Sequence, residues 1–300
     1  MCVHVKIFQC AQGNRAICRL MSAAFRILGT NPASPVCISI PHAGRAYPHD
    51  IEALLAVPLA RVRALEDRHV DAFGPLLARR GHATIIANAP RLLIDLNRSE
   101  TDIDPATMVA SYMPSYRPSL RARGGLGLVP DRLAGSGRLW RFALDAKTLT
   151  HRITELHRPY HAALATLLAR ARSVHGRAVL IDLHSMPPLP GPDAADVVIG
   201  DGHGRSASHG VIAEARAAFE QAGLRVAYNQ PYAGGHILER HGGRDHGVDA
   251  IQIELDRRLY LDTKLDLPTT GVRRIGTILG DLADRLAASS QRQDWPIAAE

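Results

Sequence analysis

No run of eighteen apolar residues occurs in the 300-residue chain, so a membrane-spanning helix is not expected. Equally absent is a block of Lys and Arg that would track a phosphate backbone. The formal charge of +7, from 36 Lys plus Arg against 29 Asp plus Glu, is spread along the chain and carried mostly by arginine. Nucleic acid and membrane are therefore not expected as partners, and the arginine surplus suits an anionic small substrate. Cysteine is scarce: Cys2, Cys10, Cys18 and Cys37 are the only four, and none has the CxxC spacing of a zinc knuckle or redox motif. They read as idle thiols in a reducing cytoplasm. The opening "MCVHVKIFQCAQGNRAICRLMSAAFRILG" lacks a signal-peptide core and cleavage site, which agrees with a cytoplasmic location. "GDGHGRSAS" is rich in glycine, but no GK[ST] follows, so it reads as a glycine turn bordering a pocket rather than a phosphate loop. No repeat or low-complexity linker divides the chain. One domain is expected over 35–288, with a tail over 289–300. Residues 1–34 read as an N-terminal extension, either without fixed structure or upstream of a true start, since Met21 can begin a sensible chain.

What is present is an alternation of β-branched apolar runs with amphipathic stretches, in a chain of ordinary 46% hydrophobic content. This alternation predicts an α/β fold, with helices covering a mostly parallel or mixed sheet. Strands are expected in "PVCISIP", "ATIIANAPRLLIDL" (two, with a turn at Pro90), "AVLIDLHS", "ADVVIG", "LRVAY" and "DAIQIEL". The spacing predicts a helix over 50–81 ending at Gly81, and a long helix through 145–176 kinked near Pro159. Two further helices are expected, in "HGVIAEARAAFEQAG" and in "VRRIGTILGDLADRLAASS". Residues 101–141 dissolve into Pro, Gly, Ser and Arg, which reads as a lid or specificity insertion.

Sheets of this class bind ligands at the carboxyl ends of their strands, and polar residues gather there. His42 follows "CISIP", Asn97 and Arg98 follow "LLIDL", Asp182 and His184 close "LIDLHS", and Glu254 closes "IQIEL". Two imidazoles and a carboxylate are a catalytic zinc's protein ligands, with a fourth position left for water. His42 and His184 supply the imidazoles, and Asp67 and Asp71 of "EDRHVDAF" are the leading candidates for the carboxylate. Asp182 alternates with His184 on one strand face and suits an orienting role. Glu254 is placed to take a proton from water. Arg98 offers a planar fork for a carboxylate or oxyanion, with Asn97 as a neutral donor beside it. Gly234 and Gly235 let backbone approach a ligand, and together with His236 after them they are expected to contact the substrate.

In order along the chain, "SIPHAGRAYP", "DRHVDAF", "LIDLNR", "HRPYHAAL", "LIDLHS", "GDGHGRS", "NQPYAGGHI" and "IQIELDRRLY" together resemble the N-formylglutamate amidohydrolase family, from about Pro35 to about Leu286. The resemblance implies a three-layer α/β/α fold like that of the zinc carboxypeptidases (phosphorylase/hydrolase-like). It also implies hydrolysis of an N-acyl amide bond, with N-formyl-L-glutamate going to L-glutamate and formate in histidine degradation as the reference reaction. It points to His42, Asp67 and His184 as ligands of one Zn2+, to Glu254 as base and proton shuttle, and to Arg98 as the substrate-binding arginine assisted by Asn97. The same ligands accept other divalent transition metals. The HxxE pairing of zinc carboxypeptidases is absent, because Arg45 stands three residues after His42, so the carboxylate ligand must come from elsewhere. The competing readings are a hydrolase for another acyl group, a binding module with lapsed catalysis, and a phosphate binder built on "GDGHGRS".

Overall fold

The computed structural model describes residues 24–29, 33–109 and 116–291. Cys2, Cys10, Cys18 and Met21 lie outside the described residues. Alternation along the strands sets the layers. Val36, Ile38 and Ile40 of β2 (Val36–Ile40) join one apolar cluster with Val179, Ile181 and Leu183 of β6 (Ala178–Met186) and Ile251, Ile253 and Leu255 of β9 (Val248–Asp256). Their odd partners, Cys37, Leu180 and Ala250, face the opposite cluster together with Ile85 of β3 (Ala83–Ala87). A sheet apolar on both faces must be covered on both, and it is.

The first face carries α1 (Gly74–Arg79), α4 (His209–Gln221) and α6 (Gly271–Gln291), the last burying Ile275, Leu279, Leu282 and Leu286 at helical spacing. Across the sheet, α3 (Arg158–His175) buries Leu164, Leu167 and Leu168, and α5 (His236–His241) adds Ile237 and Leu238. Each such side chain contributes about 1.5–3 kcal/mol on burial, and Leu164→Ala at the fully buried position in α3 would cost about 2–5 kcal/mol.

The sheet order is β1-β3-β2-β6-β9-β7-β8, where β1 is Phe25–Leu28, β7 is Val197–Gly200 and β8 is Val226–Tyr228. The four central strands are parallel. β1 is antiparallel to β3, and β7 runs antiparallel to β9 with β8 parallel to it, so the mixed, centrally parallel sheet agrees with the expectation. The small hairpin of β4 (Arg132–Leu133) and β5 (Gly137–Arg138) stands apart. From β2 the chain passes to β3 on one side. From β6 it passes to β7 on the other. The carboxyl ends of β2 and β6 therefore flank the crevice where such sheets bind ligands.

Four expectations need correction. First, β1 lies within the segment read as an N-terminal extension, and its pairing with β3 brings Phe25–Leu28 into the sheet; at the far end α6 runs on to Gln291, past 288. Second, the 50–81 segment is not one helix. Pro58 and Pro75, which lack a backbone N–H, divide it into Ile51–Leu54, Leu59–Val62, 3-10 turns at Arg63–Leu65 and Val70–Phe73, and α1. Gly81, with φ of 91°, ends it as expected. Third, "RLLIDLN" forms successive turns instead of a strand, because the Asp95 carboxylate accepts from the Asn97 N–H at 2.8 Å and so closes a local turn. Fourth, the kink before α3 is a π-helical turn over Ile153–His157, between α2 (Ala146–Arg152) and Pro159. The 101–141 segment is largely irregular where described, with short helical turns at Pro105–Thr107 and Leu120–Arg123 and the β4–β5 hairpin.

Candidate active site

His42 leaves β2 at the crevice, and its carbonyl accepts the Asp67 N–H at 2.9 Å, which brings the interrupted 50–81 segment against the sheet. Gly44 makes that turn possible, since a Cβ there would lie 2.0 Å from the Ala89 carbonyl oxygen. On β6, Asp182 and His184 point away from the first apolar face toward the same crevice, and β9 sets Gln252 and Glu254 directly beside them in register. All of these side chains are buried.

Three ligand atoms from His42, Asp67 and His184 lie within 4.8 Å of one another. His184 Nδ1 is 3.0 Å from Asp67 Oδ2, and His42 Nδ1 is 3.6 Å from the same oxygen. Behind each imidazole stands a carboxylate. Asp182 Oδ2 lies 2.8 Å from His184 Nε2, and Asp95 Oδ1 lies 2.7 Å from His42 Nε2. Carboxylates in these places fix the Nε2–H tautomer and turn both Nδ1 lone pairs toward Asp67, the pattern of metal-ligating histidines. His42 Nδ1 is moreover a buried atom without a hydrogen-bond partner. Two imidazoles, one carboxylate and an orphaned buried nitrogen fit a transition-metal cation.

Electrostatics agree with that reading. Burial pushes the His184 value down, but Asp182 and Asp67 outweigh it and hold His184 well above the usual histidine range. Burial likewise raises Asp67, yet the hydrogen bond with His184 and the close His42 ring bring it well below the usual carboxylate range. Positive charge is thus favoured between His184 and Asp67, where a cation would sit. Asp95 would also be raised by burial, but Arg91, His42 and Arg98 hold it well below the ordinary value, with Arg91 Nε bonding Asp95 Oδ2 at 2.8 Å. Glu254 goes the other way: burial is the main cause and pushes it up to about 7. Its Oε1 accepts from Gln252 Nε2 at 2.9 Å.

His42, Asp67, His184, Gln252 and Glu254 line a polar cleft of about 560 Å³, open to solvent, that also presents Arg91, Arg98, Arg121 and Arg257. Arg257 Nη2 bonds the Glu66 carbonyl at 2.6 Å and lies 3.5 Å from Asp67 Oδ1. Arg98 bonds the carbonyls of Leu126 and Asn97 through Nε and Nη1, so its fork is held in place. Asn97 reaches Asp182 Oδ2 and Gln252 Oε1 through Nδ2 at 3.3 and 3.2 Å, and its Oδ1 accepts from the Ile237 N–H. Gly234 and Gly235 complete the wall. A Cβ on Gly235 would meet Asn97 Oδ1 at 2.5 Å. Gly235→Ala is therefore expected to destabilise the fold by about 1–3 kcal/mol through overpacking, read as a lowered Tm.

Most of the expected residues thus converge, with exceptions. His236 does not line the cleft; its ring packs with His157 and His161 behind it. Asp71 pairs with Arg26 and Arg45 instead of joining the imidazoles. The "GDGHGRS" turn stands one step back, with Gly202 N–H donating to the Ala233 carbonyl. Asp95, Arg91 and Arg121 were not read as site residues, although the alternation of Asp95 with Asn97 mirrors that of Asp182 with His184. Cys37 is buried and its thiol is pushed up to about 12, which makes it an inert core side chain.

The model of the N-formylglutamate amidohydrolase family matches residues 34–261. The chain is 30% identical over 235 residues to the N-formylglutamate deformylase of Pseudomonas aeruginosa and 28% identical over 241 residues to that of Pseudomonas putida, covering 76% of this chain and 82% of each relative. The crystal structure of N-formylglutamate amidohydrolase from Ralstonia eutropha superposes with a TM-score of 0.83 at 30% identity, over 90% of this chain and 99% of that one. A protein of Agrobacterium tumefaciens shares the fold, with a TM-score of 0.68 at 21% identity over 90% of this chain and 96% of its own. The chain is an amidohydrolase and belongs to the N-formylglutamate amidohydrolase family.

Proposed function

We propose that the chain hydrolyses N-formyl-L-glutamate to L-glutamate and formate with one zinc ion held by His42, Asp67 and His184, and with Glu254 as base. The observation that carries this reading is the convergence of both Nδ1 atoms on Asp67, with Glu254 beside His184 in the strand register. The names of the relatives supply the substrate. Bound zinc supplies Lewis acidity for the acyl oxygen and makes water acidic enough to deprotonate near neutrality. Glu254 takes the proton of the attacking water and delivers it to the leaving amine, a shuttle helped by the burial that raises it above the usual carboxylate range. Asp95 and Asp182 hold the imidazoles in the ligating tautomer. Arg98 and Arg121 bind the substrate carboxylates, with Asn97 bracing Asp182 from beneath. The reaction belongs to histidine degradation and to the cytoplasm in this reading. No helix among the described residues is long and apolar enough to cross a membrane.

The test is a hydrolysis screen of the zinc-loaded and chelator-stripped chain over N-formyl, N-acetyl and N-succinyl derivatives of glutamate, aspartate and a neutral amino acid. Expected are preference for N-formylglutamate, loss of activity on stripping and return with zinc. Turnover unaffected by stripping would sink the metal's role. Arg121 is exposed on the Leu120–Arg123 turn, so its removal leaves the core intact. Arg121→Ala is expected to raise KM about tenfold with kcat little changed, because it contributes equally to ground-state and transition-state binding. Initial rates over a range of substrate concentrations check this.

A further inference from the structure

Behind the Leu96–Arg98 segment, outside the cleft, a second group of imidazoles gathers. His157 ends the π-helical turn, His161 lies four residues on in α3, and both are fully buried. His236 opens α5 and His241 closes it. The ring centroids of His157 and His161 are 4.4 Å apart, and those of His161 and His236 are 5.5 Å apart. One ring nitrogen from each of His157, His161 and His236 lies within 4.8 Å of the others.

The neighbours fix the tautomers. His157 Nε2 faces the Arg98 carbonyl at 2.9 Å and His161 Nε2 faces the Leu96 carbonyl at 3.0 Å. A carbonyl oxygen only accepts, so both Nε2 atoms carry the proton and both Nδ1 atoms carry a lone pair. Metal-ligating histidines are oriented in this way, with the other ring N–H donated to a carbonyl or carboxylate. His157 Nδ1 is buried and without a hydrogen-bond partner, since Glu100 Oε1, at 3.7 Å, is beyond bonding reach. His236 Nε2 is likewise buried and without a partner. His161 Nδ1 meets His241 Nε2 at 2.8 Å, a contact that a cation would displace. A purely hydrogen-bonding scaffold would leave the two orphaned nitrogens unexplained.

We propose that His157, His161 and His236 form a second, structural metal site, separate from the His42–Asp67–His184 group, for a borderline divalent transition-metal cation such as Zn2+ or Co2+. Imidazole donors select that class over Mg2+ and Ca2+. Burial, reinforced by the neighbouring histidines and Arg240, keeps His161 at about 2, while burial with His157 and Arg240 keeps His236 at about 4, so both rings are uncharged at neutral pH and keep one nitrogen lone pair for a cation. Glu100 favours a cation there and Arg240 opposes it, whereas the first site has the Asp67 carboxylate among its ligands and Asp95 and Asp182 behind its imidazoles, so this site fills after the first. Occupied, it would clamp α3 and α5 to the carbonyls on either side of Asn97, whose amide touches Asp182.

The proposal is independent of the reaction and is tested without turnover. The full chain, stripped with a chelator, is titrated with Co2+ and followed by visible absorption and by elemental analysis after dialysis. Two equivalents are expected for the wild type. One is expected for His157→Gln and for His236→Gln, with the weaker phase missing, and one for His184→Ala, with the tighter phase missing. His236, with a side chain 17% exposed at a helix start, is the substitution that keeps the fold, which circular dichroism verifies. A single equivalent in the wild type, or two in a folded His236→Gln, would overturn the second site.

Discussion

Glu254→Gln is expected to lower kcat by about 10²–10⁴-fold, the usual contribution of a positioned acid–base group, while leaving the fold and the metal content unchanged. The amide keeps an oxygen to accept from Gln252 Nε2, and the three candidate ligands are untouched, so the loss isolates proton transfer. The pH profile gives an independent reading. Glu254 stands at about 7 as the balance of burial, the main cause, which raises it, His184 and Arg91, which lower it, and Asp67 and Asp182, which raise it. The working form is the carboxylate, so kcat/KM falls on the acid side as Glu254 takes up a proton. A cation on His42, Asp67 and His184 adds positive charge nearby and moves the acid limb below about 7. The limb should vanish in Glu254→Gln. Turnover within tenfold of the wild type, with the limb intact, would remove Glu254 from the mechanism.

The parts legible in the sequence share one physical origin. A strand has a side-chain period of two, so "VLIDLHS" and "IQIEL" place Asp182 and His184, or Gln252 and Glu254, on one face whatever packs around them. Period alone therefore located most of the crevice, and the ordered motifs linked Asp67 to it. What escaped depends on contacts between distant segments. Asp95 was hidden because "RLLIDLN" has a strand's composition, whereas its carboxylate closes a turn and then reaches His42 across the crevice. The 50–81 segment has helical spacing, but its prolines and the bond from the Asp67 N–H to the His42 carbonyl override propensity. Arg121 sits in a loop without periodicity, and only the folded chain brings it to the cleft. His236 adjoins a pocket glycine in sequence, yet α5 turns its ring to the far side of Asn97, next to His157.

Asp67→Asn is expected to weaken metal binding by more than the 10–100-fold that loss of an orienting partner costs, and activity should fall with it at any practical zinc concentration. The carboxylate is the one oxygen donor of the three, and both Nδ1 atoms converge on it. The same geometry fixes a sign. His184 is held well above the usual histidine value in the metal-free chain, chiefly by Asp182 and Asp67 against burial, so at pH 7 it carries a proton that a cation must displace. Zinc binding therefore releases about one proton from the site, and affinity rises with pH until His184 is neutral in the free chain. Calorimetric titration in buffers of different ionisation enthalpy measures that proton directly. In Asp67→Asn the carboxylate that helps to hold the His184 proton is gone, so the residual binding should release less than the wild type does. Equal affinity and equal proton release in the two proteins would show that the cation sits somewhere other than between His42, Asp67 and His184.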